Sequence, residues 1–172
     1  MRSAIIMVLA LAGCATVVPK TTALTPAAND VMAQLRAADG TDRGQAMLRL
    51  GNGSMRLTVD AVGLRPGTHG VHIHDVGKCD APDFASAKAH WNPSMKMHGR
   101  DNPMGAHHGD LPNLMIGTDG RGSLSIDVAG TMAQLLDVDG ASVVIHADAD
   151  DYKTDPSGNS GGRIACGVLT AP

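Results

Sequence analysis

From Val31 onward the chain is written in short apolar runs broken by Gly, Asn and Asp. The clearest run is Met55–Val62, where Met55, Leu57, Val59 and Ala61 alternate with Arg56, Thr58 and Asp60. A period of two sends one set of side chains to a core and the other to solvent, so this segment predicts a half-buried strand. Val31–Ala37 and Gln45–Leu50 precede it, set apart by Asp39-Gly40 and Gly51-Asn52-Gly53, both strong turn signals. Further strands are expected at Thr68–Asp75, Asn113–Gly117, Gly122–Val128, Ser142–His146 and Arg163–Leu169, and no long helical face appears after the first fourteen residues. Eight short strands imply an all-β fold, an antiparallel barrel or sandwich. Two segments lack the strand pattern, Val76–Pro112 and the Asp-, Gly- and Ser-rich Ala147–Gly162. Connections of that length on a regular scaffold are usually where function resides.

Composition narrows the chemistry. A length of 172 residues favours a single domain, and with 2% aromatic residues its core must come from Val, Ile, Leu, Ala and Met. The net charge of −3 without a Lys/Arg run argues against nucleic acid as a partner. Histidine is the departure: all eight lie between His69 and His146, seven of them between His69 and His108.

Residues 1–13 read as an export signal, with Arg2 as its charge and Ala4–Ala12 as an apolar stretch too short to span a bilayer. It ends in Leu11-Ala12-Gly13-Cys14, which resembles the lipobox of bacterial lipoproteins, in which the Cys is acylated and the peptide before it removed. An ordinary signal cleaved near Ala15 is the alternative. Ala15 in place of an acidic residue implies, by the same resemblance, a periplasmic protein held to the outer membrane by lipid on Cys14. Cleavage takes Arg2 from 14 basic residues set against 17 acidic ones and leaves −4. Residues 14–29 then form the lipidated Cys and a tether, and residues 30–172 the folded domain. If Cys14 carries lipid, Cys79 and Cys166 remain as an even pair in an oxidising compartment, where a disulfide persists; two free thiols are the alternative.

His72-Ile73-His74 lies in a strand pattern, and side chains two apart share a face, roughly 6.6 Å apart along the strand. Two imidazoles so placed can converge on one ion. His90, His98, His107 and Asp110 follow in the long loop, and His146 ends a later strand. Imidazole suits copper and zinc, and zinc accepts a carboxylate oxygen. Of the adjacent His107 and His108, composition alone does not choose the ligand.

The segments Gly67-Thr68-His69-Gly70-Val71-His72-Ile73-His74, His90-Trp91-Asn92-Pro93, His98-Gly99, His107-His108-Gly109-Asp110-Leu111-Pro112-Asn113, Val144-Ile145-His146-Ala147 and Gly162-Arg163-Ile164-Ala165-Cys166-Gly167-Val168 resemble the copper–zinc superoxide dismutases, in the same order over about residues 31–170. The resemblance implies an eight-stranded Greek-key barrel or sandwich, immunoglobulin-like, with two long functional loops. It implies copper on His72, His74, His90 and His146, and zinc on His90, His98, His107 and Asp110, so that His90 bridges the two. The family's His-x-x-Asp spacing selects His107 over His108, and His69 falls outside the ligand pattern. Asp150 matches an acid that hydrogen-bonds His72 and His98, and Arg163 matches an arginine that docks the anionic substrate. The implied reaction is dismutation of superoxide to dioxygen and hydrogen peroxide, with copper cycling between Cu(II) and Cu(I).

The residues that steer the anion are less determined. Where many members carry Lys-Thr before the Gly-Asn turn, this chain has Pro156-Ser157, which leaves Lys153 and Lys88 as candidates. A periplasmic copper carrier or store without catalysis is the competing function, since Met95, Met97 and Met104 could hold Cu(I); the plainer reading makes them gap-fillers in an aromatic-poor core. A catalytically dead adhesion domain would be expected to have lost ligands, and a copper-only relative to lack His98, His107 and Asp110. A homodimer is neither required nor excluded by the scattered Met and Leu.

Overall fold

The computed structural model describes residue 27 and residues 30–51 and 54–170. The signal segment, Cys14 and almost all of the tether lie outside these residues. Among the described residues nine strands follow in order: β1 (Val31–Arg36), β2 (Asp42–Gly51), β3 (Ser54–Ala61), β4 (Gly67–His69), β5 (Val71–His74), β6 (Leu114–Ile116), β7 (Gly122–Val128), β8 (Ser142–His146) and β9 (Arg163–Val168). Seven of them form one antiparallel sheet in the order β5-β8-β9-β1-β2-β3-β7, and β4 pairs with β6.

Alternation places β3 as the sequence predicts, with Met55, Leu57, Val59 and Ala61 buried between more exposed neighbours. β5 and β8 are buried at every residue, since loops cover the face that β3 leaves to water. The small sheet joins the two ends of the large one. β4 runs into β5 through Gly70 alone, and β6 turns back into β7 where the Gly117 N–H donates to the Arg121 carbonyl at 2.8 Å. The result is a closed barrel of Greek-key type around Leu35, Leu48, Leu57, Ile73, Val143 and Ile145.

One expected strand, Thr68–Asp75, is two. At Gly70 the backbone leaves the β4–β6 pairing to bond elsewhere: its N–H donates to the Asp148 carbonyl at 2.8 Å and its carbonyl accepts from His146 N–H at 2.9 Å. A Cβ at this residue would stand 2.9 Å from Ser160 Cβ, so a glycine lets the second loop lie against the barrel. The structure also contains one turn of helix, α1 (Met132–Leu135), closed by a capping box between Thr131 and Gln134.

The long loop between β5 and β6 is drawn back onto the barrel by single pairings, His74 with His90 and His72 with Asp110. The Cys79–Cys166 disulfide ties the same loop to β9 across 87 residues of sequence. In the chain-entropy account a closure of that length stabilises by about 4–5 kcal/mol at most. Gly109 lies close against β5: it accepts from Ile73 N–H at 3.0 Å and donates to the Trp91 carbonyl at 2.9 Å. A Cβ there would lie 2.3 Å from the Ile73 carbonyl oxygen. Gly109→Ala is therefore expected to push the loop off β5 and cost about 1–3 kcal/mol, read as a lower urea midpoint; an unchanged midpoint would contradict this packing.

Candidate metal centre

Strand pairing brings four imidazoles together at the barrel wall. β5 supplies His72 and His74, β8 ends in His146, and the bridge to His74 delivers His90 from the loop. Each ring has one nitrogen engaged by the protein. His74 Nδ1 donates to the Lys88 carbonyl at 2.9 Å and His146 Nδ1 to the Gly161 carbonyl at 3.2 Å. His72 Nε2 donates to Asp150 at 2.7 Å, and His90 Nδ1 faces Asp110 at 2.9 Å. A carbonyl can only accept, so the proton sits on the engaged nitrogen and the other carries a free lone pair. Those others, His72 Nδ1 and the Nε2 atoms of His74, His90 and His146, are buried without a hydrogen-bond partner. The four residues present ligand atoms within 4.8 Å of one another. Buried polar atoms are nearly always satisfied, and four converging exceptions fit a metal ion.

A second cluster gathers on one carboxylate. Asp110 Oδ1 lies 2.9 Å from His90 Nδ1, 3.0 Å from His98 Nδ1 and 3.1 Å from His107 Nδ1. Its other oxygen accepts from the Gly99 and His107 N–H groups, both at 2.9 Å, which fixes the carboxylate's orientation. His98 Nδ1 has no hydrogen bond despite its close approach, because the contact is misaligned. Distance alone also groups His72 with His90, His98 and Asp110. His72 Nε2 is committed to Asp150, however, whereas His107 Nδ1 points at Asp110. Asp150 spans the two clusters, with Oδ2 on His72 and Oδ1 on His98 Nε2 at 3.0 Å. Gly158, at φ +64°, passes so close that a Cβ would overlap the Asp150 carboxylate.

Two histidines stand apart. Both ring nitrogens of His69 sit on carbonyls, those of His146 and Arg65. His108 bonds Ser94 at 2.8 Å and sets its ring edge-on to Trp91.

Residues 43–169 match the family model for copper/zinc superoxide dismutase (SODC). The chain belongs to that family. It is 48% identical over 120 residues to the superoxide dismutase-like protein YojM of Bacillus subtilis, covering 66% of this chain and 61% of that protein. With superoxide dismutase (Cu-Zn) 1 of Aquifex aeolicus it shares 44% identity over 139 residues, 76% of this chain and 81% of the relative. A crystal structure of a SOD-like protein from Bacillus subtilis superposes with a TM-score of 0.76 at 42% identity, covering 80% of this chain and 97% of that one.

Beside the imidazoles of this family member, Arg163 is held by two main-chain oxygens, Nη1 donating to Phe84 at 2.6 Å and Nη2 to Lys88 at 2.7 Å. Phe84 and Lys88 flank a 3-10 turn, Ala85–Ala87, and both have positive φ, which turns their carbonyls toward the guanidinium. A cleft lined by His74, His90, His146, Lys96 and Arg163 opens here. Of the two lysines singled out from the sequence, Lys88 stands on the outer rim beside Arg163. The side chain of Lys153 is exposed and lines neither surface. Lys96 escaped the sequence reading, although it is the only lysine between His90 and His98.

Burial dominates the titration of the copper-side rings. It lowers His72 to about 3 and His146 to about 4, and holds His74 and His90 below the ordinary value, with neighbouring imidazoles adding to the shift. Burial also opposes charge on Asp110, Asp150 and His98 but is outweighed: His107 and His90 hold the Asp110 carboxyl, and His72 and His98 the Asp150 carboxyl, well below the usual range, while the two carboxylates beside it raise His98 to about 9. In the chelator-stripped protein, the unfolded chain takes up protons at about pH 6.5 while the copper-side rings in the folded state do not. Stability is therefore expected to fall as pH drops from about 6.5 toward 4; His98 acts oppositely, losing its contribution between about 6.5 and 9. Thermal melts of stripped protein check this, and an unchanged Tm between pH 7 and 5 would contradict neutral, buried rings.

Proposed function

We propose that the protein dismutates superoxide, holding copper on His72, His74, His90 and His146 and zinc on His90, His98, His107 and Asp110. The observation that carries this reading is the set of four buried, unpartnered ring nitrogens on His72, His74, His90 and His146, the last three of which line the same cleft as Arg163. Bound copper supplies one-electron exchange between Cu(II) and Cu(I), so that one superoxide leaves as dioxygen and a second, with two protons, as hydrogen peroxide. Zinc, with a single stable oxidation state, orders its ligands.

The chain's own residues supply the rest. His90 can serve both clusters only after losing its ring proton, which two adjacent cations favour. Its Nε2, the nitrogen turned away from Asp110 and left without a protein partner, is the atom placed to take up and pass on a proton. Arg163 docks the anion: its outer donors are fixed because the inner ones are tied to Phe84 and Lys88. Lys96 and Lys88 add positive potential at the mouth of a protein whose net charge is −3. A copper carrier has no use for a fixed guanidinium in its cleft.

The same reading places the mature protein in the periplasm, on the outer membrane through lipid on Cys14, with residues 1–13 removed, 14–29 as tether and 30–172 as the enzyme. Leu11-Ala12-Gly13-Cys14 supports it, as does a disulfide suited to an oxidising compartment.

His146→Ala is expected to abolish dismutation while zinc content and fold persist, because His146 takes no part in the Asp110 cluster; turnover at the wild-type rate would refute the copper assignment. Arg163→Ala should lower the rate by about tenfold and flatten its dependence on ionic strength, and Lys96→Ala should flatten the salt dependence alone. An Arg163→Ala enzyme with wild-type rate at low salt would remove the docking role. Cys14→Ser should release the protein from membranes on fractionation, and full retention would exclude lipid at that residue.

A further inference from the structure

Among the described residues the large apolar side chains left exposed are Leu50, Met95, Met97, Met104, Met115 and Val138. Three of these are methionines of one loop, the loop that carries His90, His98 and His107. The gap-filling expected from the sequence applies to Met47 and Met55, which are buried, but not here: Met95 is 91% exposed, Met97 43% and Met104 63%. Met95 and Met104 return little packing energy to the fold, and Met97 only part of what a buried methionine would.

Their placement is held by hydrogen bonds. Met97 N–H donates to the Met104 carbonyl at 3.1 Å, which sets these two residues side by side. The Asn92 side chain bonds both the N–H and the carbonyl of Lys96, at 3.0 and 2.8 Å, between Met95 and Met97. The Asn102 side chain accepts from Met104 N–H at 2.9 Å and donates to the His98 carbonyl at 2.9 Å. Asn92 and Lys96 line the cleft of His74, His90 and His146. Met95 and Met97 therefore flank a residue that lines this cleft, and Met104 is joined to Met97 through the backbone.

We propose that Met95, Met97 and Met104 form a docking site for Cu(I), from which copper passes to His74, His90 and His146; this rests on the copper reading above. Uncharged, polarisable thioether sulfur is a soft donor that selects Cu(I) and holds Zn(II) poorly, whereas imidazole accepts both. Methionine sulfur next to the cleft would supply the discrimination that the cleft imidazoles lack. Transfer is ligand exchange, Cu(I)–S contacts giving way to Cu(I)–N contacts, with no electron moved and no oxidant required.

The test uses mature protein loaded with zinc and copper. Its Cu(II) spectrum is recorded, the cleft copper is reduced with ascorbate, and Cu(I) is titrated anaerobically against bicinchoninate. Wild type is expected to take up Cu(I) beyond the cleft copper, with sulfur ligation in X-ray absorption. The Met95→Leu/Met97→Leu/Met104→Leu protein is expected to lose that uptake and to load copper more slowly from Cu(I) when it starts with zinc alone. Equal uptake by both proteins, or extra Cu(I) bound by nitrogen only, overturns the docking site. A normal Cu(II) spectrum with no extra uptake overturns the methionine site alone, whereas absence of any histidine-bound Cu(II) overturns the metal-centre reading and this proposal with it.

Discussion

A buried imidazole whose one nitrogen is bound by the protein has a determined free nitrogen, and the rest of this site is arranged around that constraint. The carbonyls of Lys88 and Gly161 and the carboxylate of Asp150 each hold the protonated side of a ring. The lone pairs left over face one another in the barrel wall. Without an ion, each such buried acceptor costs about 1–3 kcal/mol, a large fraction of the stability of an ordinary domain. The sealed core of β1–β3, β5 and β8 and the Cys79–Cys166 bridge sustain an arrangement that no isolated loop could.

Substrate handling is coupled to this constraint through single atoms. The Lys88 carbonyl accepts from both His74 and Arg163, so the ring that faces copper and the guanidinium that faces the anion are positioned by one oxygen. Asp150 does the same between the clusters, and Gly158 at positive φ lets the second loop close over it. A disturbance in either loop therefore reaches both the metal ligands and the entrance.

The metal set and the approach to it are built on different logic. Ligand rings are buried and immobilised, while Lys96 and Lys88 stand exposed at the cleft and its outer rim, and the three exposed methionines belong to the same loop as Lys96. Substrate capture and metal delivery require access, and exposed residues supply it.

Much was legible in the sequence. Period-two alternation located Met55–Ala61, and the segments Gly122–Val128 and Ser142–His146 have the bounds read from pattern alone, because burial on a sheet face is written locally. Histidine spacing and family resemblance named the residues that the fold gathers, as His-x-His on a strand is itself a statement about geometry. Tertiary structure decided what depends on contacts distant in sequence. Gly70 divides a continuous strand pattern because residue 148 takes its hydrogen bond. Lys96 faces the cleft and Lys153 does not, since a lysine's position in a loop says nothing of which wall that loop forms. The loop methionines are exposed, where composition suggested core, because Asn92 and Asn102 brace their backbone on the outside of the barrel. Local pattern determines which face of an element is apolar; only the folded chain determines which remote elements share a boundary.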